Sequence, residues 1–392
     1  MQNKGLHIAI IASWYPSDNQ PFYGIFVEEQ ALLLKRSGHR VVVFYPYLNG
    51  DFKTFIKGNK KKVEIRKRNG VDIVEVPQNI YLPKAKEVFI SLLIKKSLKC
   101  FKKYIEREST PDIIHSHSAF MGGIIGLNLK KHFKIPLVHT EHSSGFIFQK
   151  EQYTKLDVEK VTLLYNQSNK FLFVSNYFKT SFETLLNLKG HQSCVLPNLV
   201  ADDFFDNPHP LPTSSIKALS VGSLIQVKNH LLLLKAWTNV VKKYPDAQLV
   251  IAGNGVLENE LKEFAIQESI HETIHWQNGV TKDELIRLID GSNIVVSTSF
   301  RETFGLILAE SLARGRPVVS TNSGGPRDFV NETNGMLVPY QPEEVSNAII
   351  LIFEKIASYE PLILSANCRD KFGSKIIIDH LIKIYEEAIK NK

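Results

Sequence analysis

The stretch from Ile294 to Gly315 constrains the fold more than any other in this chain. It opens with Ile294-Val-Val-Ser297, a short β-branched apolar run that reads as a buried strand. A polar loop follows, from Ser297 to Thr303. Leu306, Ile307, Leu308, Ala309, Leu312 and Ala313 then give a helix with a broad apolar face, ended by Gly315. A strand, a loop and a helix start make the place where an open α/β sheet holds its ligand. The first amides of that helix, near Phe304, Gly305 and Leu306, have no partner inside the helix. They can hold a phosphate, helped by the helix dipole. Gly305 lets the backbone approach closely. Glu302 lies on the loop before those amides, and Glu310 sits roughly 9 Å further along the helix axis than Phe304. One carboxylate can reach a group on one side of a diphosphate, and the other a group on its far side. The competing reading is a surface pair of glutamates beside an ordinary sheet-covering helix.

The same cadence recurs along the 392 residues, a length that suits two domains rather than one. His7 to Ala12 is a first strand, Ser13 to Gly24 a turn-rich loop, Ile25 to Ser37 a helix closed by Gly38, and Arg40 to Phe44 a second strand. Together they form a βαβ unit. The run Ile8–Ala12 is too short for a secretory signal, and no run approaches the roughly 20 apolar residues that span a bilayer. A cytoplasmic protein is the expectation. Cys100, Cys194 and Cys368 are far apart and fit no metal spacing; they read as small buried hydrophobes in a reducing compartment.

Ile113 and Ile114 end a buried strand from which His115, Ser116, His117 and Ser118 emerge at the ligand edge, before the Gly-containing helix start Met121–Gly126. His115 is read as having the opposite strand parity to His117 and as a packed residue. The two rings are read as pointing to opposite faces, which argues against a metal pair. Pro136 to Ser143 is another strand end, carrying His139, Thr140, Glu141 and His142. Phe171 to Val174 is a strand, with Ser175 capping the next helix. Asp202 to Thr213, with three prolines and no periodicity, is the linker. The domains are thus 1–200 and 214–375. A second cluster of loops follows Gly222 (Ser223, Lys228, Asn229) and Gly253. Ile274 to Val280 precedes a capping box, Thr281-x-x-Glu284.

Glu-Thr-Phe-Gly-Leu-Ile-Leu-Ala-Glu, two glutamates with seven residues between them, resembles the signature of the family 4 glycosyltransferases. His-x-His before a Gly-containing helix, Val-Gly followed by Lys-Asn, and Gly324-Gly-x-x-Asp328 are similar to further motifs of that family. The resemblance implies a GT-B fold, two Rossmann-like domains facing each other across a cleft, with the last helix (376–392) crossing back onto the first. It implies retaining transfer of a sugar from a nucleotide-sugar without a metal ion. His117 would face donor sugar and acceptor. Glu302 would hold sugar hydroxyls, and Glu310 the ribose. Lys228 and the amides of Thr303, Phe304, Gly305 and Leu306 would stabilise the leaving diphosphate. Gly24, Gly222, Ser223, Asn229 and Gly253 would lie along the donor, and the main chain of Asn278 to Val280 would hold the base. Three departures stand out: Ser223 replaces the usual Arg, Asp328 replaces the Glu of Gly-Gly-x-x-Glu, and Gly24 is single where glycines are often paired.

A net charge of +8 permits an anionic partner without choosing one. The charge is concentrated at Lys57 to Arg68, read as a solvated hairpin or loop, and on a helix from Val88 to Ile105. There Lys95, Lys99, Lys102 and Lys103 flank a stripe of Ile90, Ile94, Leu98, Phe101 and Ile105. That helix is read either as packed on the sheet with its lysines in water, or as a dock for an anionic membrane. The two are compatible. A lipid-linked saccharide in cell-surface polysaccharide assembly is then the expected acceptor. The alternatives are a sugar-nucleotide epimerase on the same fold, and a non-catalytic nucleic-acid binder. No nucleic-acid module is recognisable for the latter.

Overall fold

The computed structural model describes residues 5–17, 23–48, 62–78, 86–143, 145–148, 152–189 and 193–391. Lys57, Lys60 and Lys61 of the basic segment lie outside them. The chain divides into two compact units. Unit 1 comprises Met1–Val174, Lys179–Leu196 and Ile378–Lys392; unit 2 comprises Ser175–Phe178 and Pro197–Ile377.

Unit 1 is built on eight strands: β1 (His7–Ala12), β2 (Arg40–Leu48), β3 (Glu64–Arg68), β4 (Val71–Gln78), β5 (Ile113–His117), β6 (Leu137–Glu141), β7 (Lys170–Phe173) and β8 (Ser193–Val195). Their order is β3-β4-β2-β1-β5-β6-β7-β8, and every pairing is parallel except β3 with β4. Parallel strands need both faces covered, which is why β1 and β5 are buried at every position. The chain leaves β1 for β2 on one side and later returns to β5 on the other. The β1/β5 junction is therefore the switch point of this sheet, and its carboxyl edge is the crevice.

Unit 2 carries β9 (Lys217–Val221), β10 (Gln248–Ala252), β11 (Ile274–Gln277), β12 (Ile294–Ser297), β13 (Val318–Thr321) and β14 (Gly335–Val338), all parallel, in the order β11-β10-β9-β12-β13-β14. By the same logic its switch point is β9/β12. Ile251, Ile294, Val296 and Val319 from the sheet pack with Leu233, Trp237 and Ile349 from covering helices into one apolar core. The indole of Trp237 donates to Thr273 Oγ1 at 3.0 Å, so burying that large ring leaves no polar atom orphaned. The segment after Ala201 is not featureless. It forms a helical turn, Asp202–Phe205, with both phenylalanines buried.

Two sequence expectations need correction. The helix Lys86–Arg107 buries Phe89, Leu93, Ser97, Phe101 and Tyr104, a face rotated by about one residue from the expected Ile90–Ile105 stripe; of that stripe only Phe101 is buried. The aromatics decide the rotation. Phe101 packs on Phe44 and Phe133, and Tyr104 on Phe44 with its hydroxyl 2.9 Å from His7 Nε2. The second concerns the cysteines: Cys368 is buried, but Cys100 and Cys194 are only half-buried.

Candidate active site

At the switch point of unit 2, loops that are remote in sequence are sewn together. Gly222 follows β9, and the loop beyond it carries Lys228 and Asn229 into the helix His230–Lys243. β12 ends in Ser297, and its loop runs to Gly305, the left-handed residue (φ 94°) that opens the helix Leu306–Ala313. Phe300 N donates to Val227 O at 2.9 Å, and Thr298 Oγ1 to Asn229 O at 3.0 Å. Lys228 Nζ then reaches Glu302 Oε1 at 2.6 Å, and Ser299 Oγ donates to the same oxygen at 2.8 Å. Lys228 and Glu302 are both partly exposed, so the pair stands at the surface of the crevice rather than in the core. His230, directly after Lys228-Asn229, is buried, with no partner at Nδ1 among the described residues. Burial and the Lys228 charge push its pKa down to about 4, so it is neutral.

The loop after β13 completes this edge. Glu302 N donates to Ser323 O, and Gly325 N donates back to Glu302 O, both at 2.8 Å. A Cβ at Gly325 would lie 2.4 Å from Thr303 O, so only glycine permits this close approach. Asp328 accepts from Asn176 N at the start of the helix Asn176–Leu185, and Ser175 Oγ donates to Thr303 O at 2.6 Å while accepting from Phe178 N. The first turn of that helix thereby steadies Thr303, which sequence reasoning did not foresee. Glu310 lies half-buried in the second turn of Leu306–Ala313. Gly253 follows β10, against Gly222: a Cβ on it would sit 2.0 Å from Gly222 O. Ser223 is exposed beside it, and Asn278 and Val280 follow β11 at the far side of the sheet.

At the switch point of unit 1, Ser13 follows β1. Its hydroxyl accepts from Gly122 N and lies 2.8 Å from His117 O and 2.6 Å from Phe120 O. His115 and His117 do not point to opposite faces. Residues two apart share a face of a strand, and the two rings are 4.2 Å apart. His115 is fully buried, with Nδ1 2.6 Å from Tyr385 Oη and Nε2 2.7 Å from Thr140 Oγ1. His117 is 1 % exposed; its Nδ1 faces His142 Nε2 at 3.0 Å, and its own Nε2 has no partner among the described residues. Burial, and then the neighbouring histidines, hold His117 well below the usual histidine range. Burial alone takes most of the credit for His142, lowered to about 3. Gly24 (φ 75°) opens the helix Ile25–Arg36, pressed so closely on Trp14 O that its Cβ would lie 2.4 Å away. That packing explains the glycine by itself. Glu141 and His142 were read from sequence only as polar residues of a strand end, and the parallel register of β5 and β6 is what brings His142 beside His117; Ser13, after β1, and Tyr385, on the last helix against His115, were not singled out.

Two parallel α/β units, each collecting polar and titratable side chains at the carboxyl ends of its switch-point strands, define a ligand-handling α/β enzyme. Residues 24–204 match the family model for glycosyltransferase family 4, and residues 202–366 that for glycosyl transferases group 1. A curated relative, the UDP-Gal:α-D-GlcNAc-diphosphoundecaprenol α-1,3-galactosyltransferase of Escherichia coli, is 25 % identical over 322 residues, covering 76 % of this chain and 80 % of its own. Among solved structures, sucrose-phosphate synthase from Thermosynechococcus elongatus matches with a TM-score of 0.78 at 18 % identity, over 98 % of this chain and all of the other. Anabaena HepE, in complex with UDP and glucose, matches at 0.73 and 15 % identity, over 96 % of this chain and 98 % of its own. The chain belongs to the family 4 glycosyltransferases, with the GT-B fold.

Proposed function

We propose that this glycosyltransferase moves a sugar, with retention at the anomeric carbon, from a nucleoside-diphosphate sugar to a saccharide or lipid-linked saccharide in cell-surface polysaccharide assembly. The observation that carries the donor assignment is the Lys228–Glu302 pair, 2.6 Å apart at the switch point of unit 2 and next to the helix start at Gly305. From β12 across β9 and β10 to β11 the sheet edge runs three strand spacings, roughly 14 Å. Along it lie the helix amides, Gly222, Gly253 and the loop at Asn278–Val280. Such a run accommodates sugar, diphosphate, ribose and base in sequence. HepE, which binds UDP and glucose, supports a uridine nucleotide.

In this reading the carboxylate of Glu302 orients hydroxyls of the donor sugar, and Glu310 the ribose. Lys228, released from Glu302 or shared with it, meets the diphosphate. As the glycosidic bond breaks, Lys228 and the amides at Phe304 to Leu306 take up the negative charge that develops on the leaving phosphate. No metal is assigned to this step. His117 would meet the sugar through Nε2, which has no partner among the described residues. The lipid-linked acceptor draws support from the Escherichia coli relative, whose acceptor is a diphosphoundecaprenol-linked sugar.

Exposed Lys95, Lys99, Lys102 and Lys103 on the helix Lys86–Arg107 support peripheral contact with an anionic membrane, each lysine near the surface contributing about 1 kcal/mol. No helix among the described residues is long and apolar enough to cross a membrane.

The test is thermal stability with UDP, GDP, ADP and CDP and their sugars, without added metal. A ligand at one hundred times its Kd adds about 2.7 kcal/mol. A shift confined to one nucleotide series is expected, with uridine nucleotides leading. No shift with any of them would overturn the donor assignment.

A further inference from the structure

We infer that His142 is a positioning residue: it fixes the orientation and the tautomer of His117, and so decides what His117 offers at Nε2. The inference rests on the proposed role of His117 at the donor sugar. Its structural part can be tested independently of that role.

The two rings lie nearly in one plane (18°), centroids 5.3 Å apart, with His117 Nδ1 3.0 Å from His142 Nε2. Both imidazoles are neutral at physiological pH, for the burial reasons given above. A neutral imidazole carries one N–H and one lone pair. The two facing nitrogens therefore share a single proton. If it sits on His117 Nδ1, then His117 Nε2 is a bare lone pair that accepts from a sugar hydroxyl. If it sits on His142, then His117 Nε2 carries the N–H and donates. Among the described residues no other group makes this choice, because none of them partners Nε2. The other groups facing His117 do not compete for Nδ1. His115 is occupied at both nitrogens, and His139 Nδ1 lies 2.8 Å from Ser116 Oγ.

His142 is itself held in place. Glu141 Oε1 accepts from the amides of His142 (2.9 Å) and Ser143 (2.8 Å), while Oε2 accepts from Ala119 N (2.7 Å). One buried carboxylate thus ties the loop after β6 to the loop after β5. The ring of Phe26 lies against His142 on the other side, 4.4 Å between centroids. A residue wanted only for packing would not need its nitrogen aimed at another nitrogen.

The test uses the full-length protein with ¹⁵N-labelled histidine, comparing wild type, His142→Ala and His142→Gln. The amide of Gln reaches where His142 Nε2 lies. For the wild type, the ¹⁵N shifts of His117 are expected to report one neutral tautomer from pH 5.5 to 8. In H142A the tautomers mix and His117 protonates nearer to 6.5. In H142Q the single tautomer returns. Turnover with UDP-glucose and UDP-galactose as probe donors should fall at least tenfold in kcat for H142A, with KM for the donor nearly unchanged, and recover in H142Q. An H142A spectrum in which His117 is identical to wild type would overturn the inference, as would equal losses of kcat in both variants. His117→Ala with undiminished turnover would instead remove the role of His117 and leave the tautomer coupling standing.

Discussion

Lys228 and Glu302, 74 residues apart in sequence, meet with Nζ 2.6 Å from Oε1, and Ser299 adds a third bond to the same carboxylate oxygen. Each member of the pair has a different fate in the proposed reaction, so their deletions should differ. Lys228→Ala removes a charge-assisted contact to the diphosphate and should weaken nucleoside diphosphate binding by about 1.5–3 kcal/mol, more than tenfold in Kd. Glu302→Ala should leave that binding within a few-fold and lower sugar transfer roughly 100- to 1,000-fold. Titration calorimetry with UDP, beside turnover, separates the two. Equal nucleotide affinity in wild type and K228A would remove Lys228 from the donor site.

Gly325→Ala should damage the site without touching a ligand. Its Cβ would press on Thr303 O, at 2.4 Å, and on Phe304 Cα, at 2.6 Å, both backbone atoms that cannot rotate away. The loop carrying Glu302 must then shift. A loss of about 1–3 kcal/mol in stability is expected, as for other overpacked sites, together with weaker nucleotide binding. Wild-type affinity in G325A would mean that the loop holds its shape without this contact.

The order of the two-domain fold was legible because parallel strands buried on both faces write themselves as apolar runs ending in polar loops. Ile294–Ser297 and Pro317–Thr321 are of this kind, and so is the capping box at Thr281, found intact. What stayed hidden depends on register and on which face turns inward. His142 joins His117 only because β5 and β6 pair His117 with Thr140, two residues before His142. The parity of His115 and His117 could have been read correctly from the period of two alone. The inward face of Lys86–Arg107 could not, since its aliphatic residues run around more than one side and Phe89, Phe101 and Tyr104 find their places only against the sheet and its neighbouring helix.

The neutral histidines of unit 1 make its stability depend on pH. Burial lowers the folded pKa of His115, His117 and His142 below the ordinary value of 6.5. In the unfolded chain they take up protons below about 6.5, and in the folded chain only at much lower pH. Their contribution is therefore complete above 6.5 and is lost as pH falls below it, down to about 3 for His142. Each costs about 1.4 kcal/mol per pH unit in that window. Urea unfolding at pH 7.5, 6.5 and 5.5, followed through Trp14 with Trp237 and Trp276 changed to Phe, should show midpoints that fall about three times as far between 6.5 and 5.5 as between 7.5 and 6.5. A flat profile would mean that these rings are charged or exposed in the folded state.

Arg316 should prove more important to unit 2 than any residue of the site. It is completely buried. Nε lies 3.1 Å from the carbonyls of both Ile289 and Ser292, Nη1 donates to His209 O (2.6 Å) and Arg314 O (2.9 Å), and Nη2 to Asp290 O (2.7 Å) and Pro210 O (3.4 Å). The guanidinium thus closes the carbonyl end of the helix Lys282–Gly291 and fastens the proline-rich segment to it. The negative end of that helix dipole favours the cation. Burial lowers its pKa only to about 10, which leaves it charged at neutral pH. Arg316→Ala would orphan several carbonyls at once and should cost about 3–5 kcal/mol. Arg316→Lys should recover little, because an ammonium has three donors at one point and lacks the planar fork. Urea unfolding followed through Trp237 checks both. A lysine variant as stable as wild type would show that the charge alone matters there, and that the multiple carbonyl contacts contribute nothing to holding the segment 209–210 in place.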